Sequence, residues 1–234
     1  MKALLAVEGL RVAIDTVQVL RGLSLDVAEG SMVGLVGRNG AGKTTLMRAL
    51  MGHLALQSGR IALDGHDLAT VPRHRRAALG IGYMPEDRGL VPELDVEENI
   101  LVPVWASSTL RAEDRLDFVY GVMPELKEMR KRRAMLLSGG QQKMVALARA
   151  LAVGTRLLLL DEPFEGLAPA LSSRLGEVLA GLRTQRLSVL MAQSDLTHAR
   201  ALVDTEVTIE RGANATASRH PSIDNDRSTV PEIS

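Results

Sequence analysis

The sequence contains no cysteine. That removes disulfides, thiolate metal sites and any cysteine nucleophile at once. It also fits a reducing compartment. Aromatic residues are scarce: one Trp, two Tyr and two Phe, none of them before Tyr83. Neither sign of charge is in excess, since 28 Lys and Arg balance 28 Asp and Glu. No broad field draws in nucleic acid or an anionic bilayer, so no nucleic-acid partner is expected. The five histidines, His53, His66, His74, His198 and His220, show no metal-ligand spacing. No apolar run approaches the ~20 residues that a spanning helix needs. Met1–Val7 starts like a leader, but Glu8 and Gly9 end its apolar run early. Any role at a membrane then runs through a partner.

Glycine, in contrast, is concentrated where it matters. Gly37-Arg38-Asn39-Gly40-Ala41-Gly42-Lys43-Thr44-Thr45 fits the phosphate-loop pattern G-x-x-x-x-G-K-[ST]. The apolar run Met32–Val36 precedes it as a buried strand, and Leu46–Met51 follows as a helix. Glycines let the backbone approach a phosphate and turn its N–H groups toward it. A helix N-terminus adds partial positive charge at the same place. Lys43 would then reach the β- and γ-phosphates, and the Thr44 hydroxyl would sit on Mg²⁺.

At 234 residues the chain suffices for one large α/β domain or a core with a smaller subdomain. Short β-rich pieces come first: Leu4–Val7, Leu10–Ala13 and Leu23–Val27, with Glu8-Gly9 and Ala28–Gly30 as turns. Gln57–Gly59 reads as a turn and Arg60–Gly65 as strand and turn. Pro72–Leu79 reads as a short basic helix with a solvated face. Ile81–Met84 is a buried strand ended by Pro85. Helical periodicity then takes over in Glu97–Val104, Arg111–Val122 and Glu125–Arg133, separated by Pro103, Ser107-Ser108 and Pro124. A long helix opens at Leu137–Gly140 and runs through Ala152. Strands Leu157–Leu160 and Ser188–Ala192 alternate with helices Leu171–Arg183 and Leu196–Val203. The alternation predicts an α/β fold with a mainly parallel sheet. An N-terminal antiparallel β subdomain precedes it, and a helical subdomain, about 86–145, is inserted in it. From residue 213 to 234 there is little to bury, and a flexible tail is expected.

Two further segments carry chemistry. Leu157–Leu160 ends in Asp161 and Glu162. Asp161 can join the Mg²⁺ shell of a phosphate-loop NTPase, and Glu162 can polarise a water for in-line attack. Leu137-Ser138-Gly139-Gly140-Gln141 places a serine and two glycines at a helix start, again an anion site. It lacks a lysine, so it is not a second complete nucleotide site. Taken alone, Ser138 reads as a plain N-cap.

Together these elements resemble the nucleotide-binding subunits of ABC transporters, over about residues 7–212. Gly37–Thr45 matches the Walker A motif, Leu137–Gln141 the LSGGQ signature, and Leu157–Glu162 the Walker B strand with its glutamate. The resemblance implies a cassette that hydrolyses ATP with Mg²⁺, using Glu162 and Lys43. It also implies a head-to-tail dimer, with ATP between the phosphate loop of one subunit and Ser138, Gly139, Gly140 and Gln141 of the other. The helical insertion would contact transmembrane permease subunits. Such a subunit lies peripherally on the cytoplasmic face of the membrane.

A narrower resemblance is also present. Tyr83–Arg88, Leu94–Asn99, Glu162–Pro169 and Leu137–Leu151 are similar to the branched-chain amino acid importer ATPases. These take up hydrophobic amino acids, amides and urea, with an external substrate-binding protein. Other readings are a different ABC role such as lipopolysaccharide export, a soluble ABC ATPase acting on ribosomes or DNA, or a weakly catalytic half of a heterodimer.

Four positions depart from the wider family pattern. Ile14 stands where an aromatic usually stacks on adenine, which implies relaxed base selectivity or a higher KM for ATP. Base–aromatic stacking is worth about 1–3 kcal/mol per base. Glu86 replaces the Q-loop glutamine, and its carboxylate can still meet Mg²⁺ or its waters. Ser194 replaces the switch histidine; a serine can hydrogen-bond the γ-phosphate but carries no positive charge. Pro169 replaces the D-loop aspartate. The resemblance therefore allows a slow site in this chain and a heterodimeric partner that carries more of the turnover.

Overall fold

The computed structural model describes residues 2–215. Two long strands come first, β1 (Ala3–Ile14) and β2 (Val17–Ala28), followed by β3 (Met32–Val36) and α1 (Lys43–Leu50). Then come β4 (Ser58–Leu63), β5 (His66–Asp67), α2 (Arg73–Arg76) and β6 (Ile81–Met84). A helical stretch contains α3 (Val96–Trp105), α4 (Ala112–Val122), α5 (Pro124–Glu128) and α6 (Gly139–Val153). The chain closes with β7 (Leu157–Asp161), α7 (Pro169–Leu182), β8 (Ser188–Gln193), β9 (Thr205–Glu210) and β10 (Ala213–Asn214).

These strands form two sheets. One is antiparallel, in the order β2-β1-β4-β5. The other has the order β10-β9-β3-β8-β7-β6 and is parallel except for the β10–β9 edge pair. This is the phosphate-loop NTPase arrangement expected from the alternation. The interiors of the central strands are apolar because both faces are covered, with polar residues only at strand ends such as Asp161, Ser188 and Gln193. Along β7, Leu158 and Leu160 pack with α3, α6 and α7, whereas Leu157 and Leu159 pack with α1 and the antiparallel sheet. β8 divides in the same way, Val189 and Met191 against Leu190 and Ala192.

Several local expectations need correction. Glu8-Gly9 is not a turn between strands but a bulge within β1, with the register slipping between Val7 and Leu10. Gly9 takes a left-handed φ of 56° there, which suits glycine. Pro103 does not separate helices; it lies inside α3, near its C-terminal end. The third helix of the insertion stops at Glu128, and Arg133 instead bridges back to Asp95. Residues 196–203 form turns rather than a helix. Leu196, Ala199 and Leu202 are buried, but their spacing of three suits successive turns, closed by Ala199 N–H to Leu196 O and Leu202 N–H to Ala199 O. The expected tail does not begin at residue 213. Ala213 and Asn214 pair with Glu210 and Ile209, and the Asn214 side chain bonds both the N–H and the carbonyl of Ser24. The rest of that expected tail, residues 216–234, lies outside the described residues.

The basic helix also differs from a uniformly solvated face. Arg76 is 7% exposed and turns inward. Its guanidinium donates to the carbonyls of Ala49 and Leu50 at the end of α1, at 3.0 and 2.6 Å, and to that of Leu68 at 2.8 Å. A helix C-terminus leaves carbonyls without partners and attracts a cation, so the burial has a physical cause.

Candidate nucleotide site

The parallel strands β3, β6, β7 and β8 end on one side of the sheet, where α/β folds bind ligands. Their C-terminal ends bring together the loop after β3, Glu86 after β6, Asp161-Glu162 at the end of β7 and Ser194 after β8. A cavity of about 330 Å³ there is lined by Val19, Asn39, Gly42, Lys43, Glu86 and Glu162, among others. Arg38, Asn39 and Gly40 are exposed, whereas Gly37, Ala41, Gly42, Lys43 and Thr45 are buried. A Cβ on Gly37 would lie 2.4 Å from the Ile209 carbonyl, so the loop can run this close to β9 only as glycine. Gly42 caps α1 with a φ of 111°, a conformation favouring glycine. The first N–H groups of α1 are thereby directed at the cavity mouth, as an anion site requires.

Lys43 is 5% exposed. Its ammonium donates to the Gly37 carbonyl at 2.5 Å and pairs with Glu162 Oε1 at 3.1 Å. Glu162 is also buried and has a φ of 48°. A non-glycine residue in the left-handed region costs about 1–3 kcal/mol and persists only where its surroundings fix it. Its N–H donates to the Ala192 carbonyl at 3.0 Å. Its carboxylate accepts from the Ser194 N–H at 3.1 Å and the Ser194 hydroxyl at 2.7 Å. The same hydroxyl lies 2.8 Å from Asn39 Oδ1. One proton cannot serve both acceptors. Turning the Asn39 amide so that its NH₂ donates to Ser194 leaves the serine proton for Glu162. Gln193, 5% exposed, donates to Glu162 Oε2 at 3.1 Å in the amide orientation that also satisfies the Phe164 N–H. Glu162 is thus held by α1, β8 and the loop beyond it.

Asp161 has no exposed surface, and among the described residues neither of its carboxylate oxygens has a partner at full hydrogen-bond geometry. Burial pushes its pKa up to about 6, although the Thr44 hydroxyl is close enough to act in the lowering direction. Thr44 Oγ1 and Glu86 Oε2 stand 3.5 Å apart in the same neighbourhood. Buried carboxylate oxygens without partners call for an explanation, and oxygen ligands of this kind suit a hard divalent cation.

Ser138, Gly139, Gly140 and Gln141 do not line this cavity. Ser138 caps α6 by accepting from the Gln141 N–H at 3.3 Å, and the Gln141 side chain returns a bond to the Ser138 N–H at 3.0 Å. The plain N-cap is therefore present, and Ser138 and Gly139 face solvent. A Cβ on Gly140 would lie 2.3 Å from Leu171 Cδ1, so a side chain there would require the Leu171 tip to move. Ile14 is 38% exposed at the β1–β2 hairpin and does not line the cavity. Val19 does, and the sequence reading missed it because nothing marks a lone valine on an alternating strand.

A glycine loop between a buried strand and a helix, with an aspartate and a glutamate at the end of a parallel strand one strand removed in the same sheet, defines a phosphate-loop NTPase. The family described as "ABC transporter" matches residues 20–165, more than half of the chain. A probable ABC transporter ATP-binding protein of Azorhizobium caulinodans is 37% identical over 212 residues, covering 89% of this chain and 74% of that protein. The high-affinity branched-chain amino acid transport ATP-binding protein BraG of Pseudomonas aeruginosa is 35% identical, covering 84% of each chain. The lipopolysaccharide export system ATP-binding protein LptB of Escherichia coli K12 is 33% identical, covering 90% of this chain and 88% of that one. The solved structure of an ATP-binding subunit of an ABC transporter superposes with a TM-score of 0.79 at 28% identity, covering 90% and 88% of the two chains. The chain belongs to the ABC transporter ATP-binding family, whose cassettes bind and hydrolyse ATP.

Proposed function

We propose that this chain is the energy-coupling subunit of an ABC importer for branched-chain or other hydrophobic amino acids, or related small amides or urea. The observation that carries the catalytic part is the arrangement at the end of β7: an unpartnered buried Asp161 beside a Glu162 held against Lys43 and Ser194. The backbone of Gly37–Thr45 and the Lys43 ammonium bind the phosphates of ATP. Thr44, Asp161 and Glu86 would hold Mg²⁺, which would supply charge neutralisation to the phosphates. Glu162 orients and polarises the attacking water, and Ser194 fixes the Glu162 carboxylate while remaining within reach of the loop at Asn39. Ser138, Gly139, Gly140 and Gln141 reach the ATP of a second cassette in a head-to-tail dimer, identical or different from this one.

Coupling to a permease is supported by a second, larger cavity of about 730 Å³. It runs from Thr44 and Glu86 out to Val102 and Pro103 on α3, so a docked segment would touch both the site and the helical region. No helix of the described residues is long and apolar enough to cross a membrane. In this reading the chain acts peripherally, on the cytoplasmic face, through permease subunits, with a substrate-binding protein beyond them.

Glu162→Gln tests the chemistry. General-base contributions are typically about 10²–10⁴-fold, so hydrolysis should fall by at least ~100-fold with ATP binding retained. Unchanged hydrolysis would overturn the assignment. The relative BraG favours amino acid import, and the relative LptB favours lipopolysaccharide export as the second reading. Cells carrying Glu162→Gln should lose uptake of labelled leucine or urea. Intact uptake with lipopolysaccharide missing from the outer surface would favour export.

A further inference from the structure

Among the described residues, Lys143 is a buried cation outside the phosphate loop. Lys143 lies on the second turn of α6, five residues beyond Ser138, and is 5% exposed. Its ammonium donates to the Glu162 carbonyl at 2.7 Å and to the Glu165 carbonyl. Burial lowers its pKa. An ammonium removed from water and satisfied mainly by carbonyls is an expensive arrangement. What it grips is the turn that presents Glu162. The Glu165 N–H donates to the Glu162 carbonyl at 3.2 Å, closing that turn from within. Lys143 spans both ends of the same turn from outside.

The left-handed backbone of Glu162 needs external restraint to persist. The Glu162 N–H is held by β8 and its carbonyl by Lys143. Those two restraints fix the direction in which the Glu162 side chain leaves the backbone. The carboxylate then meets Lys43 and Ser194 at hydrogen-bond distance. Lys143 belongs to the helix that Ser138 caps, so the signature segment and this chain's own Glu162 are joined by one rigid helix turn and one side chain.

We propose that Lys143 is a positioning residue for hydrolysis, which holds the Glu162–Glu165 turn from the signature helix and so ties the placement of Glu162 to that of Ser138–Gln141 in the same chain. The proposal rests on the role of Glu162 given above. It differs from a purely structural role, in which Lys143 only satisfies two interior carbonyls. A structural role lowers stability and leaves the chemistry of the folded fraction unchanged. A positioning role lowers kcat, leaves KM for ATP alone and acts only through Glu162.

The test uses the full-length chain with MgATP and compares the parent, Lys143→Met, Lys143→Gln, Glu162→Gln and the Lys143→Met/Glu162→Gln double variant. Single-turnover hydrolysis and ATP binding are measured on each. Lys143→Met should lower the hydrolysis rate about 10-fold with ATP affinity within ~2-fold of the parent. Lys143→Gln, which keeps a neutral donor, should recover part of that loss. In the Glu162→Gln background the Lys143→Met change should have no further effect. A crystal structure of Lys143→Met should show the Glu162 φ moved out of the left-handed region.

An unchanged rate in Lys143→Met would overturn the proposal, as would a further 10-fold loss on top of Glu162→Gln, or a Glu162 turn unaltered in the crystal. If Lys143→Met does not fold, Lys143→Gln is read in the same comparison and should show the smaller loss only where Glu162 is intact. A normal rate in Glu162→Gln itself would overturn the catalytic reading and this proposal with it. A normal rate in the Lys143 variants alone would overturn only the latter.

Discussion

At the scale of single residues, two side chains have opposite relations to their surroundings. Asp161 is buried without a hydrogen-bond partner, so its charge weakens the nucleotide-free fold. Asp161→Asn removes that charge and should stabilise the nucleotide-free chain by about 1–3 kcal/mol near neutral pH. About 1 kcal/mol shifts Tm by roughly 2–4 °C in a domain of this size, so scanning calorimetry would resolve the gain. Hydrolysis by the same variant should be lost. A destabilised fold, or retained hydrolysis, would contradict this reading of Asp161. Ser194 is well satisfied by comparison, bonded to both Glu162 and the Asn39 side of the loop. Ser194→Ala leaves the backbone bond from residue 194 to Glu162 but removes the hydroxyl. A hydrogen bond to a charged group is worth about 1.5–3 kcal/mol, and part of that should appear as a roughly 10-fold slower hydrolysis with ATP affinity unchanged. Equal rates for Ser194→Ala and the parent would show that the serine does not fix Glu162. The sequence places Ser194 at the switch position, but not the hydrogen bonds by which its hydroxyl joins Glu162 to Asn39.

At the scale of elements, α2 illustrates what a sequence conceals. Four consecutive basic residues, Arg73, His74, Arg75 and Arg76, share one short helix, yet only Arg76 turns inward to close the end of α1. Arg76→Met should destabilise the chain by about 2–4 kcal/mol in urea unfolding, because several buried carbonyls lose their donor. Arg75→Met, an exposed neighbour, should change stability by less than about 0.5 kcal/mol. Equal effects of the two would refute the capping role. The difference could not be read in advance because it depends on where α1 ends in space. The strands that sequence reasoning identified best, β3, β6, β7 and β8, are apolar on both faces and bounded by Gly, Pro or charge. β9 was missed for the opposite reason: only Ile209 is buried within it. Its signal is geometric. Gly212 just beyond it has no room for a side chain, since a Cβ would lie 1.8 Å from the Val19 carbonyl. That contact fastens the β9–β10 edge to β2 beside the phosphate loop, so the site has a wall that the pattern of apolar residues did not announce.

At the scale of the whole molecule, the phosphate loop and the signature segment occupy separate places in one chain. The cavity at Lys43 is lined by Val19, Glu86 and Glu162, and not by Ser138–Gln141, which open α6 with their polar groups toward solvent. Ser138 has a local role as the cap of α6, and a side chain at Gly140 would press on Leu171. Their solvent-facing N-terminus still offers an anion site that no part of the described residues fills. A head-to-tail pair would complete both cavities by one symmetry operation, as closed dimers do. The consequence can be measured on the pure chain. Glu162→Gln, expected to bind ATP without turning it over, should shift from monomer to dimer in light scattering when MgATP is added. Adding Ser138→Arg to that variant should keep it monomeric. Ser138 is an exposed N-cap whose loss costs about 1 kcal/mol, too little to unfold the domain. If the double variant dimerises as readily as Glu162→Gln, the signature is not the second wall of the site. If neither dimerises with MgATP while both bind it, two copies of this chain do not suffice, and the complementary cassette is a different one. If the base of a bound nucleotide rests on Val19, which lines the cavity, it meets no stacking ring, and the same titration with GTP should reach the half-dimer point within a few-fold of the ATP concentration.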